Sequence, residues 1–164
     1  MPLSRGRNAL VNVALLLAAA GGVLSRQDPE PKARPKEEPK ATYALVVNVR
    51  NKTTATGDEA RATVKKLFLK DLTQWPDGLD ARPYAREDRS AEQAAFVKAV
   101  LGMNDPELAR HWLRLKSTNG TTPPKEVDSD RLLLKYVARH DGAFGIIRID
   151  AARAAPDVRI LFEF

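Results

Sequence analysis

One stretch of the sequence constrains the fold more than any other: residues 84–96 (YAREDRSAEQAAF) pass from a strand-like run through a charged turn into an amphipathic helix. At such a junction the free N–H groups of the helix start and the positive end of its dipole point the same way, an arrangement that holds oxyanions. Arg86 adds a guanidinium that can pair with a phosphate or a carboxylate through two hydrogen bonds. A purely structural interpretation also stands, because Ser90 and Gln93 form the S-x-x-Q pattern of a helix capping box.

The absence of cysteine from all 164 residues removes several classes of chemistry. It excludes disulfides, thiolate nucleophiles, cysteine-bound metals and a lipoprotein anchor. His111 and His140 lie in different segments and do not form a metal-ligand spacing. No nucleophile motif with a paired base is present. The sequence therefore predicts a protein that is not an enzyme and that carries no metal and no cofactor.

The net charge of +6 raises the question of nucleic-acid binding. Half of that excess lies in residues 1–40, and the remaining surplus of basic residues is small and spread along the chain. A basic footprint for nucleic acid is concentrated on one face or in one motif instead. The charge pattern therefore predicts a solvated surface and no nucleic-acid partner.

Residues 1–25 have the pattern of a secretory leader, with Arg5 and Arg7 ahead of an apolar run. The run is short for a membrane span, which needs about 20 residues, and both a cleaved signal peptide and an uncleaved signal anchor fit it. Residues 26–40 (RQDPEPKARPKEEPK) combine prolines with alternating charges, which predicts an extended, disordered tether. We therefore expect an exported, periplasmic protein, which an uncleaved leader would tether to the inner membrane.

The rest of the chain, residues 41–164, predicts one α/β domain with a mixed sheet flanked by helices, in the order β, α, β, α, α, α, β, β. The first and third strands are apolar on both faces, as in a covered sheet. The predicted strands are residues 43–49, 81–85, 143–149 and 158–164. The last of them alternates strictly, which places four apolar residues on one face: Val158, Ile160, Phe162 and Phe164.

Helices are predicted from apolar periodicity and from their caps. The first begins at Thr56, whose hydroxyl forms a capping box with Glu59. Its core-facing stripe is Ala60, Val64, Leu67 and Phe68. The second runs from about residue 91 to residue 101 and ends at Gly102. It is expected to bury Ala94, Phe96, Val97, Val100 and Leu101.

Two further helices are predicted, the third opened by the Asn-Asp-Pro-Glu sequence at residues 104–107 and the fourth capped by Asp128 or Ser129. Residues 116–125 and residues 151–155 are predicted to be a polar loop and a turn. The Trp-Pro-Asp-Gly sequence at residues 75–78 predicts a tight turn that places its tryptophan in the core.

Over residues 41–164 the sequence resembles the phosphate-type substrate-binding proteins of ABC transporters, within the type II periplasmic binding protein fold. The match is to the second lobe and its hinge strand, and it extends to short single-lobe relatives. Four landmarks occur in the family's order: the hinge strand VVNVRN (46–51), the helix VKKLFLK (64–70) with its WPDG turn (75–78), the anion motif Arg86-x-Asp88-x-Ser90 with Phe96 downstream, and the strand GAFG (142–145).

The resemblance implies a role for each residue of the anion motif. Arg86 matches the arginine that pairs with phosphate, Asp88 matches the aspartate that orients it, and Ser90 matches the hydroxyl donor that opens the helix. Ala91 and Glu92 follow, and their N–H groups complete the expected oxyanion site.

The sequence also departs from the family pattern at several positions. Arg89 and Ala91 stand where the family has glycines, and Glu92 stands where it has a threonine donor. Lys70 replaces the glycine that ends the family's helix, and Ile146 replaces a strand tyrosine. A carboxylate in the first helical turn complements the dipole but repels a doubly charged anion.

Two functions follow from these observations. The first is an exported, non-catalytic binding module that resembles one lobe of a phosphate substrate-binding protein and acts through an envelope or transporter protein. The alternative is a weak binder of phosphate or another small oxyanion through the Arg86-Asp88-Ser90 turn.

Overall fold

The computed structural model describes residues 42–164, in which a five-stranded mixed sheet carries helices on both faces. The predicted α/β class is confirmed. In chain order the elements are β1 (Tyr43–Asn48), α1 (Gly57–Phe68), β2 (Arg82–Arg86), α2 (Ala91–Phe96), a π-helical turn (Val97–Leu101), α3 (Asp105–Asn119), β3 (Lys125–Val127), α4 (Asp130–Arg139), β4 (Ala143–Arg148), α5 (Ile149–Arg153) and β5 (Val158–Glu163).

The strand order is β3-β2-β4-β1-β5. β1 pairs antiparallel with both β4 and β5, and β2 pairs parallel with both β3 and β4. The first described strand is therefore held between two strands from the end of the chain. Thr42 and Tyr43 both donate their backbone N–H groups to the Phe164 carbonyl, which joins the start of β1 to the residue that follows β5.

Two apolar cores lie on opposite faces of the sheet. α1, α2, the π-helical turn and α3 cover one face, and α4 and α5 cover the other. The side chains of β1 alternate between them, with Leu45 and Val47 in the first core and Ala44 and Val46 in the second. Burial of both faces explains why β1 is apolar throughout.

β5 departs from the strict alternation that its sequence predicts. Leu45 pairs with Phe162 but the next residue, Val46, pairs with Ile160, so the strand bulges at Leu161. The extra residue reverses which face the following side chains occupy. Ile160 consequently packs in the core under α4 and α5, whereas Phe162 packs in the core under α1 to α3. The prediction of a single apolar face is therefore wrong.

The sequence also failed to predict two short elements. β3 begins at the last residue of the predicted polar loop, and α5 overlaps the first three residues of the predicted turn. β3 pairs with β2 at the edge of the sheet, and only Val127 of its three residues is buried, so it lacks the apolar pattern of a strand. α3 also extends to Asn119, four residues into the predicted loop.

The beginning of α1 and the interior of α2 each correct a local prediction. Thr56 is the N-cap of α1, but its side chain makes no capping hydrogen bond, so the predicted box with Glu59 does not form. In α2 the buried residues are Gln93 and Phe96, and Ala94 is exposed. The four apolar residues after Ala94 that were expected in the core are buried, and Gly102 ends the helix with φ 63°.

Trp75 lies in the core, as predicted. The Gly78 N–H donates to the Trp75 carbonyl at 2.9 Å, which closes the tight turn. The indole N–H donates to the carbonyl of Gly142 at 3.0 Å, and the ring packs edge-on against Phe144. A Cβ on Gly142 would lie 1.9 Å from the carbonyl oxygen of Asp80, so the backbones here approach too closely for any side chain.

The predicted leader (residues 1–25) and tether (residues 26–40) lie outside the described residues. Within residues 42–164, none of the helices is long and apolar enough to span a membrane.

Candidate functional site

Arg86 is the last residue of β2 and is 5% exposed. Its backbone N–H donates to Oε1 of Gln93, from the first turn of α2, at 3.0 Å. This bond ties the end of the strand to the start of the helix, so the junction predicted from the sequence is a fixed unit. It also explains the burial of Gln93, which the apolar pattern does not predict.

The Arg86 guanidinium is only partly satisfied. Nη2 donates to the backbone carbonyl of Asp128 at 3.2 Å and lies 3.3 Å from Oδ1 of Asp130. Nε and Nη1 are buried and have no hydrogen-bond partner within residues 42–164, and the same is true of Asp130 Oδ1, whose contact with Nη2 is an ion pair without hydrogen-bond geometry. Unsatisfied buried donors of this kind are costly, by about 1–3 kcal/mol each.

Asp130 has a carboxyl group whose pKa is raised above its ordinary value. Burial is the main cause, and the negative charge of Glu92 acts in the same direction. The positive charge of Arg86 opposes the increase without cancelling it. The carboxyl group therefore takes up a proton more readily than an exposed aspartate does.

Ser90 is the N-cap of α2, as predicted. Its Oγ accepts a hydrogen bond from the Gln93 backbone N–H at 3.1 Å. The second half of the predicted capping box is absent, because the Gln93 side chain bonds the Arg86 N–H instead. Ala91 is exposed and Glu92 half-buried, at the first two positions of the helix, where N–H groups have no intrahelical partner.

Asp88 lies in the turn between β2 and α2 and is exposed. It makes no hydrogen bond or ion pair within residues 42–164, and the carboxylate beside the Arg86 guanidinium is that of Asp130. Asp88 instead lines a cavity of about 350 Å³ next to the junction, together with Arg89 and Gln93. The five residues of the expected oxyanion site all lie within residues 86–92, but Asp88 lines the neighbouring cavity, whereas Arg86 does not.

Sequence reasoning missed Asp128 and Asp130, which stand more than forty residues after Arg86. They reach the junction because β3 pairs parallel with β2 and opposes Arg86 with Val127, one residue before Asp128. The sequence contained a weak signal for them, since Asp128 was one of two predicted caps for the fourth helix. The structure assigns that cap to Ser129, which makes no side-chain capping bond.

The histidines and acidic residues of the described chain do not suggest a metal centre. No group of three or more metal-ligating side chains comes together within residues 42–164. His111 is buried, where Nε2 donates to the Leu69 carbonyl at 2.9 Å and Nδ1 accepts from Arg114 at 3.2 Å. Both ring nitrogens therefore have structural partners.

Comparison with solved structures identifies the architecture around this junction. An ABC-type phosphate transport receptor from Vibrio cholerae matches with a TM-score of 0.55 and 20% sequence identity, over 74% of this chain and 45% of that one. A protein assigned as a phosphate ABC transporter substrate-binding protein from Clostridium perfringens, solved with bound phosphate, matches with a TM-score of 0.54 and 18% identity, over 74% and 44% of the two chains.

The described domain has the fold of one lobe of a phosphate-type substrate-binding protein. A further phosphate-binding-type structure, from Borrelia burgdorferi, gives a TM-score of 0.54 at 11% identity and covers 46% of that chain. The chain thus spans less than half the length of each of these structures. By sequence, no protein-family profile and no curated protein matches.

This lobe fold confirms the resemblance found from four landmarks in the sequence. At these identities the comparison establishes the fold alone, because one fold hosts many functions. The ligand and the partner of this lobe therefore have to be argued from its own residues.

Proposed function

We propose that the described domain is a non-catalytic binding module that holds a small protonated oxyanion, such as dihydrogen phosphate, at Arg86. The observation that carries the proposal is the pair of buried guanidinium donors, Nε and Nη1, without a partner in the described chain. An arginine is suited to a tetrahedral oxyanion because its planar fork donates two parallel hydrogen bonds. The oxyanion would supply the acceptors that these donors lack.

The choice of a protonated ligand comes from Asp130 and Glu92. Asp130 Oδ1 is a buried acceptor without a hydrogen-bond donor, and the negative charge of Glu92 lies close enough to shift its pKa. Hydrogen phosphate carries an O–H donor that Asp130 can accept, whereas sulfate carries none. Two carboxylates also disfavour a doubly charged anion, so dihydrogen phosphate fits this site better than a dianion.

The remaining predicted ligand-binding residues have supporting roles in this proposal. Ser90 Oγ already accepts the Gln93 N–H, and its hydroxyl hydrogen stays available for a ligand oxygen. Ala91 and Glu92 contribute helix-start N–H groups. Asp88, which faces the neighbouring cavity, would act only by its charge. Since a single lobe supplies contacts from one side only and the carboxylates of Asp130 and Glu92 oppose the binding of an anion, we expect affinity in the millimolar range.

Calorimetric titration of the domain with phosphate and with sulfate, at pH 6, tests the proposal. We expect heat of binding with phosphate at millimolar concentration and a weaker response to sulfate. Replacing Arg86→Met removes the charged donors and keeps an unbranched, flexible side chain, and should weaken phosphate binding about tenfold or more. Circular dichroism checks that the variant is folded, because Arg86 is buried.

Asp130→Asn provides the second variant, which exchanges an acceptor for an amide while retaining the shape. It should reduce the preference for phosphate over sulfate, because the amide NH₂ can donate to either anion. Absence of heat at millimolar phosphate, or unchanged binding in folded Arg86→Met, would contradict the proposal.

The partner predicted from the sequence, an envelope or transporter protein, belongs to this same proposal. The matched receptor from Vibrio cholerae is described as a phosphate transport protein, which supports a role beside a transporter. Crosslinking the full-length chain in cells and identifying what it captures tests the idea, and fractionation of the same cells tests export. Consistent recovery of cytoplasmic proteins alone would refute both the export and the partner.

A further inference from the structure

The cavity of about 350 Å³ beside the junction is not used by the oxyanion proposal. It lies between α2, α3 and the segment that enters β3. Its walls include apolar side chains from several elements: Phe68, Val97, Leu108, Trp112 and Pro124. Leu108 and Trp112 are half-buried, so the walls are partly open to solvent. A concave, mostly apolar space of this size is typical of a ligand site.

Charged residues at the mouth of this cavity are predominantly acidic. Asp88, Asp105 and Glu126 line it together with a single basic residue, Arg89. All four are exposed, and none of them forms a hydrogen bond or ion pair through its side chain within residues 42–164. The rim therefore carries a net negative charge that complements a cationic ligand.

Gln93 provides an independent indication of what the cavity binds. Its side chain lines the cavity and the residue is only 4% exposed. Because Oε1 accepts the Arg86 backbone N–H, the orientation of the amide is fixed and Nε2 is the free end. Nε2 donates to no group within residues 42–164. Nε2 is not among the buried polar atoms that lack a partner, so it is accessible from the cavity that Gln93 lines and can donate to a carbonyl oxygen of a ligand.

We propose that this cavity binds a short peptide segment in which an apolar side chain is followed by a basic one. The apolar side chain would pack against Trp112 and Phe68, a backbone carbonyl would accept from Gln93 Nε2, and the lysine or arginine would lie among the rim carboxylates. A peptide supplies all three features within two residues. The site is separate from the guanidinium of Arg86, so it does not depend on the proposed oxyanion function.

NMR titration of the ¹⁵N-labelled domain with N-acetyl-Leu-Lys-amide tests the proposal. The chain has two tryptophans, and Trp75 is buried away from the cavity, so its indole signal is an internal reference. We expect the Trp112 indole and the Gln93 side-chain amide to shift while Trp75 does not. N-acetyl-Leu-Glu-amide, with the opposite charge, should bind at least about fivefold more weakly.

Two arginine substitutions at exposed helical alanines make a matched pair. Ala109 lines the cavity, and Ala109→Arg should abolish the shifts by filling the space and adding positive charge to the rim. Ala62→Arg, on the exposed face of α1, should leave binding unchanged. Glu126→Gln should weaken the lysine peptide and, because it removes a repulsive charge, should not weaken the glutamate peptide.

Equal binding of the two peptides would overturn the proposal, as would shifts that survive Ala109→Arg. Absence of any shift of the Trp112 indole at tens of millimolar peptide would overturn it as well. Phosphate binding, measured in the same samples, should be unchanged by Ala109→Arg. The oxyanion proposal and the peptide proposal can therefore fail separately.

Discussion

Lys70 follows α1 and has φ 65°, the left-handed region that favours glycine. It is the one residue other than glycine with positive φ within residues 42–164. The phosphate-type substrate-binding proteins that the sequence resembles have a glycine at this position. Lys70 therefore adopts a backbone conformation that suits glycine better than lysine. Burial also lowers the pKa of the Lys70 ammonium.

Replacing Lys70→Gly should consequently stabilise the domain. Left-handed backbone costs a non-glycine residue about 1–2 kcal/mol, and the added chain entropy of glycine offsets about 0.5–1 kcal/mol of that. We expect a net gain of roughly 0.5–1 kcal/mol in the free energy of unfolding, measured by urea denaturation. Lys66→Gly, at an exposed position inside α1, should instead lose about 1 kcal/mol. Equal losses in both variants would contradict the argument.

Asp130 should make the stability of the domain depend on pH with an unusual sign. Its pKa in the folded state is raised, mainly by burial, so the folded protein binds a proton that the unfolded chain has already released. The stabilisation that comes from protonated Asp130 is fully present below the ordinary aspartate pKa of 3.8. It is lost as the pH rises through the raised pKa of Asp130 in the folded protein. The free energy of unfolding of the wild type relative to Asp130→Asn should therefore fall with increasing pH in this window.

Asp150 provides the control with the opposite sign. The hydrogen bond from Arg148 lowers the pKa of this exposed carboxyl group. Its contribution to stability is present above pH 3.8 and is lost as the pH falls. Relative to Asp150→Asn, the wild type should gain stability as the pH rises. Denaturation at a series of pH values between about 3 and 7 measures both differences, and slopes of equal sign would refute the assignment for Asp130.

At the scale of the elements, three helices of the described residues have a hydroxyl residue as N-cap, but only one of the three side chains makes a capping hydrogen bond. Ser90 accepts the Gln93 N–H at the start of α2. Thr56 at the start of α1 and Ser129 at the start of α4 make no side-chain capping bond. A hydroxyl residue at the N-cap therefore contributes differently to the stability of each helix, depending on whether its side chain makes the capping hydrogen bond.

Alanine substitutions at these three caps should separate them. Ser90→Ala should lower the free energy of unfolding by about 1 kcal/mol, because it leaves an N–H of the helix start without an acceptor. Thr56→Ala and Ser129→Ala should each cost less than about 0.5 kcal/mol, since they remove no hydrogen bond. Thermal and urea denaturation of the three variants provide the comparison. A loss at Thr56 or Ser129 as large as that at Ser90 would contradict the observed capping.

At the scale of the whole molecule, the sheet places the first described strand between β4 and β5, so its stability depends on the end of the chain. β1 and β4 are interior strands, and all six residues of β4 except Arg148 are buried. β3 is an edge strand of three residues with one buried side chain. The edge strand β3 is therefore much less buried than the interior strands β1 and β4.

Amide hydrogen exchange should follow this order. We expect the amides of β1 and β4 to exchange at the rate of global unfolding, and those of β3 to exchange much faster through local opening. Exchange followed by NMR at pH 7 checks the prediction. β3 amides as slow as those of β1 would mean that the edge is part of the cooperative core. Because β3 leads directly to Asp128 and Asp130, fast opening there would also expose Arg86.

The sequence by itself determined part of the local structure of this protein. The strand positions of β1 and β4, the buried stripe of α1 and the Ser90 cap all come from interactions within a few residues, where apolar period and capping chemistry suffice. The leader and tether remain predictions from composition.

Only the tertiary structure decided which distant residues meet. The parallel pairing of β3 with β2 brings Asp130 to Arg86, and one bulged residue in β5 divides its apolar side chains between two cores. Neither event has a local signature, because the register of a sheet is set by packing of the whole chain. For that reason the sequence predicted the arginine of the candidate site correctly as part of the junction, while its carboxylate neighbour emerged only from the fold.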